Sequence, residues 1–412
     1  GRVVEPVEDA HGHRVGMLRI RNGFDGEVLG EVPATSLADE APLYDRPRAR
    51  PASLDAVHAD DPTFDEPEGS SGEDLLSLLV DPTWVYRQYD SQLFLNTVVG
   101  PGRDASLLRL GGPGLPTSHR GIALTTDSNP RWCALDPRVG TALTVAEGVA
   151  NLACVGASAK ALVNCLNFGN PEHPEVMWQL SESIDGMAEA CRALEIPVVG
   201  GNVSLYNESG GNDIDPTPVV GLLGVLDSLV APPPGWDWRD GDAIVLVGTR
   251  RALGDTAFPL GGSRWATRRG RRGGTVAPFN GAVLKRTFDF VAGEVASTCA
   301  GHASDVTAVH DVGAGGLATA LAEMAASTGL GAQVTELEGH GELFAEFPGR
   351  FVMATNDLDR FVARAARADV DVEAIGHVGG TRLRIASSVD LDVAEIARRR
   401  AHALEDSLAN AG

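Results

Sequence analysis

The stretch Gly200-Gly201-Asn202-Val203-Ser204-Leu205-Tyr206-Asn207-Glu208 decides the fold: it closes the apolar run Ile196-Pro197-Val198-Val199 with a glycine pair, then offers a carbonyl and a hydroxyl. A strand ending in Gly-Gly lets backbone amides approach a phosphate closely. One strand–helix–strand interval upstream lies a second polar turn, Asn164 to Pro171, reading NCLNFGNP. Paired turns at one sheet edge predict a nucleotide site in an α/β fold.

Between these turns Met177, Leu180, Ile184, Met187, Cys191 and Leu194 recur at three- and four-residue steps, the period of one apolar helix stripe. Pro174 and Pro197 bracket it, and the stripe reads as core rather than as a cofactor box. Strands predicted at 95–99, 122–126, 161–166, 198–199 and 219–225 define a first α/β domain over 84–229. A second α/β domain over 236–390 has strands at 244–247 and 306–309, a helix near 282–296, and a glycine turn, HDVGAGG at 310–316, opening another helix. Residues 391–412 predict a closing amphipathic helix. Ahead of these domains, 1–47 hold short strands at 17–20 and 28–32, too few to fold alone, and read as the tail of a preceding domain. Residues 48–83 are rich in Pro, Asp, Glu, Ser and Gly; with Asp60, Asp61, Asp65 and Glu66 they read as a solvated acidic linker.

With 412 residues, 43% of them hydrophobic, the chain can bury two cores. Its formal net charge of −22 repels nucleic acid and anionic membrane, so neither is expected as a partner. Anionic ligands must be met locally, by backbone amides, arginine or a divalent cation. Lysine is confined to Lys160 and Lys285. Cys133, Cys154, Cys165, Cys191 and Cys299 form no CxxC pair and read as free buried thiols. The sequence has no apolar run of the roughly 18 residues that span a bilayer and no signal-like start, which predicts a cytoplasmic protein.

Asn202 offers the hard carbonyl oxygen that Mg²⁺ accepts beside water and phosphate. Alone it reads more simply as a turn former, and Ser204 as an exposed polar residue. Asp127 and Asp311 read as strand-end caps, and His310 as a packed, hydrogen-bonded residue. Arg264, Arg268, Arg269, Arg271 and Arg272 read as a solvated loop. Cys154 and Cys165 lack a histidine partner, so no catalytic thiol is expected.

The combination carries more. NCLNFGNPE and GGNVSLYNE, with YDSQLFLNTVVGPG at 89–102, resemble the synthetase subunit of phosphoribosylformylglycinamidine synthase, of the small-subunit type, from de novo purine biosynthesis. The resemblance continues through TTDSNPRW at 125–132, HDVGAGGLATALAEMA at 310–325, LFAEFPGRFV at 343–352 and IGHVGG at 375–380. It implies an aminoimidazole-ribonucleotide-synthetase-like pair of α/β domains with mixed sheets, one contributing to a central barrel and one lying outside it. The chain resembles the second of two pseudo-repeated halves, and 25–47 resemble the connection between them.

That family resemblance implies ATP- and Mg²⁺-dependent amidation of formylglycinamide ribonucleotide to formylglycinamidine ribonucleotide. It sets Asn164 and Gly201 beside ATP, Asn202 on Mg²⁺ and Ser204 on the phosphoribosyl substrate, and supplies ammonia from a separate glutaminase subunit, with a small bridging subunit. The family's active-site histidine would lie in the first half, and Tyr89 and Asp90 stand at the pseudo-equivalent place. No catalytic residue is therefore assigned to this chain, and alone it is expected to be inactive. Many relatives carry Asp where this chain has Asn164, which makes that contact to ATP neutral here. Pseudo-symmetry would put Asp127 and Asp311 at an auxiliary nucleotide site. Two rivals are another ATP-dependent synthetase of the superfamily, such as aminoimidazole ribonucleotide or selenophosphate synthetase, and a non-catalytic nucleotide-binding scaffold. The first would carry a lysine- or cysteine-containing N-terminal motif, which is not found.

Overall fold

The computed structural model describes residues 5–8, 12–37, 40–65, 69–116, 118–254, 256–335, 337 and 339–409, so Glu66 of the acidic run and the last residues of the closing helix lie outside the described residues. The chain divides into two compact units, Gly1–Pro47 and Arg48–Gly412. In the first, Met17–Arg21 pairs antiparallel with Val28–Pro33, and Arg19 grips Glu31 across the strands at 2.7 and 2.8 Å. Its described residues are exposed or half-buried, as a two-stranded ribbon without a covering layer must be.

The second unit opens with the acidic run, and here the expectation of a solvated linker fails. Helices α1 (Leu54–Ala59) and α2 (Ser71–Leu78) form in it, Ser70 caps α2 by accepting from the Glu73 amide, and Leu75 and Leu79 are fully buried. The arginine loop supplies the counter-charge. Asp74 accepts hydrogen bonds from Trp265 Nε1 (2.8 Å) and Arg269 (2.6 Å), while Arg271 pairs with Asp60 and Asp65. Composition records acidic residues but not partners some 200 positions away, so neither segment announces the other; Arg271 and Asp65, for instance, are 206 residues apart.

Strands β1 (Thr97–Val99), β2 (Ser106–Arg109), β3 (Gly121–Asp127), β4 (Ser158–Asn167), β5 (Val198–Ser204) and β6 (Thr217–Leu226) form one sheet in the order β1-β2-β3-β6-β4-β5. Its pairs are antiparallel except β4 with β5, which are parallel and joined by α4 (Pro174–Ala193), as a crossover requires. Helix α3 (Pro137–Cys154) starts at Asp136, whose side chain accepts from the amides of Arg138 and Val139. These helices cover one sheet face, burying Ala123, Leu162, Leu166, Val220 and Leu222. Of the predicted stripe on α4, Leu180, Met187 and Cys191 are buried, while Ile184 is exposed. On the opposite face Leu124 and Val163 remain 45% and 47% exposed.

The second sheet contains β7 (Ala243–Gly248), β8 (Val306–Asp311), β9 (Ala332–Val334), β10 (Arg350–Thr355), β11 (Val372–Val378), β12 (Arg382–Ile385) and β13 (Val389–Asp392), in the order β8-β10-β7-β11-β9-β12-β13. Alternation along β7 sends Val245 and Val247 toward α5 (Gly281–Cys299) and Ile244 and Leu246 toward α6 (Gly316–Thr328). Helix α7 (Val393–Ala409) closes the described chain. One apolar cluster runs from Leu162 and Leu222 through Val145 of α3 to Val291, Val245 and Phe351, so the two sheets share a core.

The acidic run gives the first test. Replacing Asp74→Ala leaves the Trp265 indole N–H without this acceptor and removes one ion pair from Arg269, and should cost about 2 kcal/mol in a urea titration. A midpoint equal to that of the unaltered chain would mean that the acidic run adds nothing to stability.

Candidate functional site

The strand after Pro197 does not stop at the glycine pair. β5 runs through Val198–Ser204, in register Asn164↔Gly201, Cys165↔Asn202 and Asn167↔Ser204 with β4, because parallel pairing satisfies backbone groups that a turn would leave to solvent. The expected turns thus lie one step later than the sequence suggests, at 168–173 and 205–208. Gly201 and Asn164 meet across the strands: a Cβ on Gly201 would sit 2.1 Å from Asn164 Oδ1, so only glycine fits. Asn164 faces α4, where its Nδ2 lies 3.4 Å from Met187 Sδ.

Alternation puts Asn202 and Ser204 on the other face, together with Cys165 and Asn167, two residues apart and pointing the same way. Asn202 is exposed and Ser204 half-buried. The structure therefore joins Asn164 to Gly201 and Asn202 to Ser204, on opposite sides of one edge strand. The two turns are tied together. Phe168 N donates to Ser204 O (3.0 Å), Tyr206 N to Gly169 O (2.8 Å), and Asp213 accepts from Asn170 N (2.6 Å) while contacting His173 Nδ1 at 2.7 Å.

A second polar cluster lies between the sheets, in a cleft of about 590 Å³ whose walls include Asp104, Glu147, Asn151, His310, Asp311 and Gly313. Asp127 and Asp311, expected as caps, are a half-buried and a buried acid. Asp127 accepts from Asn151 Nδ2 at 2.8 Å and from the Thr125 hydroxyl. Burial, reinforced by Asp311, pushes its carboxyl up to about 7, and burial pushes Asp311 up to about 6. Glu147 is driven well above the ordinary range by burial and then by Asp311 and Asp127, and its Oε2 is buried without a hydrogen-bond partner. A Cβ on Gly313 would come within 2.5 Å of Glu147 Oε1 and 2.9 Å of Asp311 Oδ2, so glycine there lets the turn run against both carboxylates.

Beside them, His310 is packed and paired: its Nδ1 is 2.6 Å from Asp104 Oδ1, its Nε2 is 3.2 Å from Glu323 Oε2, and its ring stacks 4.2 Å from Trp236. Burial alone would lower its pKa, but Asp104 outweighs burial and holds the imidazole charged; the imidazolium in turn keeps Asp104 ionised against its own burial. Asp104, His310 and Asp311 present three ligand atoms within 4.8 Å of one another. Sequence reasoning missed Asp104, Glu147 and Asn151. For Glu147 and Asn151 the available signal was a carboxylate and an amide at i and i+4 in a helical stretch, 139–154, otherwise made of apolar residues, glycine and threonine. All five cysteines are free, and burial pushes Cys133 and Cys299 up to about 12, which leaves them inert as nucleophiles at neutral pH. Among the described residues no helix is long and apolar enough to cross a membrane.

Residues 102–226 match the AIR synthase related protein N-terminal domain, and 239–386 match the AIR synthase related protein C-terminal domain. Phosphoribosylformylglycinamidine synthase subunit PurL of Moorella thermoacetica is 42% identical over 380 residues, covering 89% of this chain and 49% of the relative. The same subunit of Methylocella silvestris is 40% identical over 406 residues, covering 96% and 52%. The fold is similar to that of Thermotoga maritima PurL complexed with ATP, with a TM-score of 0.54 at 22% identity over 88% of this chain and 49% of that one. Thermotoga maritima PurL complexed with FGAR gives 0.55 at 22% identity, over 88% and 47%. These matches place the chain in the phosphoribosylformylglycinamidine synthase subunit PurL family of the AIR synthase related proteins. The chain spans about half the length of the curated relatives it matches.

The buried acids set a pH dependence. Their pKa values in the fold lie above those of free carboxyls, so their contribution to stability is fully present at acid pH and is lost as pH rises through about 6 and about 7. Without divalent cations the melting temperature should fall across that window. Asp127→Asn, which cannot ionise, should flatten the fall, by up to a few kcal/mol at the alkaline end. Parallel profiles for the two proteins would disprove the assignment.

Proposed function

We propose that the chain works as the second half of a synthetase subunit that converts formylglycinamide ribonucleotide to formylglycinamidine ribonucleotide with ATP and Mg²⁺. The observation carrying this reading is the presentation of Asn202 and Ser204 side by side on the uncovered face of the first sheet, at an edge whose turns are tied together. Family membership and the ATP and FGAR complexes named for the Thermotoga maritima protein support the choice of ligands.

On this reading Asn164 and the Gly201 backbone lie beside ATP, Asn202 offers its carbonyl oxygen to Mg²⁺, and the Ser204 hydroxyl bonds the phosphoribosyl substrate. One neutral oxygen ligand suits a cation that keeps several waters and takes phosphate oxygens. When bound, Mg²⁺ screens the charge of the phosphoryl group in transfer. The amide oxygen of the substrate takes the γ-phosphate, ammonia attacks the resulting iminophosphate carbon, and inorganic phosphate leaves. Oxygen is a poor leaving group until phosphorylated. The chain's residues bind and orient; proton transfer falls to groups of the complementary half, which would also cover the open sheet face. Ammonia comes from a separate glutaminase subunit docked through a small bridging subunit, in the cytoplasm.

The chain alone, given formylglycinamide ribonucleotide, ammonia, ATP and Mg²⁺, should form no amidine, and adding the complementary half should restore turnover. In that reconstituted enzyme Asn202→Ala and Ser204→Ala should each lower kcat/KM by about tenfold or more with assembly intact, as loss of one substrate or metal contact does. Unchanged turnover with lost assembly would favour a scaffold role instead.

A second reading concerns the cleft. The unpartnered Glu147 Oε2, beside Asp127, Asn151 and Asp311, matches the hard oxygen set of a divalent cation, and the arginines at the rim suit phosphate. We assign it an auxiliary Mg²⁺–nucleotide site. Calorimetry should show ADP binding to the chain only with Mg²⁺, abolished by Glu147→Gln. Equal binding with and without Mg²⁺ would refute it.

A further inference from the structure

Ser204 does not stand alone. Asn207, three residues on, places Nδ2 3.0 Å from Phe168 O, 3.0 Å from Ser204 O and 3.1 Å from Ser204 Oγ, while Ser204 Oγ lies 3.3 Å from Asn207 Oδ1. The backbone of Asn207 adds an N–H bond to Phe168 O at 3.2 Å and accepts from Ile214 N at 3.2 Å. Tyr206, at φ 60°, turns the chain back so that Asn207 reaches both turns, a conformation that a bulky side chain rarely adopts. One amide thus touches both turns and the hydroxyl between them.

The chemistry fixes which way the amide points. Two of its neighbours are carbonyl oxygens, which only accept, so the two Nδ2 hydrogens belong to them; the flipped amide would press Oδ1 against both. The Ser204 hydroxyl then takes the remaining role, donating to Oδ1 over the longest contact of the set. A phosphate or a ribose oxygen arriving at Ser204 needs that proton. It has only to displace the weakest bond, while the bonds from Nδ2 to Ser204 O and Phe168 O, both 3.0 Å, keep the turn and its serine in place.

We propose that Asn207 is a positioning residue that holds the Ser204 hydroxyl as a ready donor to the phosphoribosyl substrate; this rests on the reading of Ser204 given above. It acts through Ser204, and through the junction of the turns, rather than by touching the ligand.

The test is a double-mutant cycle in the reconstituted synthetase, with Ser204→Ala, Asn207→Ala and the pair, reading KM for formylglycinamide ribonucleotide and for ATP separately. Asn207→Ala should raise the first by about tenfold and move the second by less than about twofold, and in the Ser204→Ala background it should add almost nothing. A purely structural asparagine would move both constants and would keep its full cost in that background. Should Asn207→Ala not fold by thermal melting, the isosteric Asn207→Asp, which lacks the two donors, takes its place in the same cycle. If Ser204→Ala itself leaves KM unchanged, the site reading fails. If Ser204→Ala raises KM but the Asn207 variant does not, or if their effects simply add, the positioning role alone is overturned.

Discussion

The structure depends on one helix having to be buried on every side. α3 lies beneath the first sheet, against α4 and against α5 of the second, and only small residues make that possible. A Cβ on Gly148 would strike Leu222 and Asp127, and one on Gly156, at φ 75°, would come within 2.8 Å of the Ala296 backbone nitrogen. Thr141 and Thr144 dispose of their hydroxyls by donating to Pro137 O and Gly140 O within the helix. Glu147 has no such internal outlet. The packing that fuses the two sheets therefore also forces a carboxylate into a site it cannot neutralise alone, and the polar cleft is a consequence of the fold rather than an addition to it.

The first sheet poses the complementary problem. Its covered face is a packed core, but Leu124, Val163 and the half-exposed Leu223 line the other, and among the described residues β5 is the last strand of the sheet. Burial of aliphatic surface is worth about 25 cal/mol per Å², so covering this face would help hold the proposed complementary half. Because Asn202 and Ser204 sit on that same face, whatever covers the sheet also brings its own groups to them. On the proposed reading, assembly and completion of the site would be a single event, which is how a strand with neutral polar residues and no acid or base of its own could belong to a catalytic centre.

Much of this was legible in the chain. The β4–α4–β5 crossover follows from the stripe through Leu180, Met187 and Cys191 and from the spacing of the polar motifs, since local periodicity reports which face is buried. The exact turn positions were not, because whether a strand continues through Gly200 and Gly201 depends on a partner strand already extended beside it. The acidic run is illegible for a similar reason: Asp74 and Asp60 look solvated until Arg269 and Arg271 are brought up to them by the tertiary fold. Asp127 and Asp311 looked like caps because a cap and a buried acid share the same local sequence, a polar residue where a strand ends. Only the burial imposed by α3 distinguishes them.

Net charge now takes on a local meaning. A chain of −22 repels phosphate at long range, yet its two candidate nucleotide regions resist or admit it differently. At β5 the proposed contacts, Asn164, Asn202 and Ser204, are neutral, although Asp213 stands at the adjoining turns. In the cleft, Glu147 and Asp311 lie inside while Arg131, Arg264 and Arg268 line the same walls. An anion entering an empty cleft would face partly ionised carboxylates at short range in a medium of low dielectric, where like charges are most costly. On the proposed reading, a cation held by these carboxylates would remove that repulsion and leave the arginines to hold phosphate oxygens. Binding at such an auxiliary site would then be ordered, metal before nucleotide.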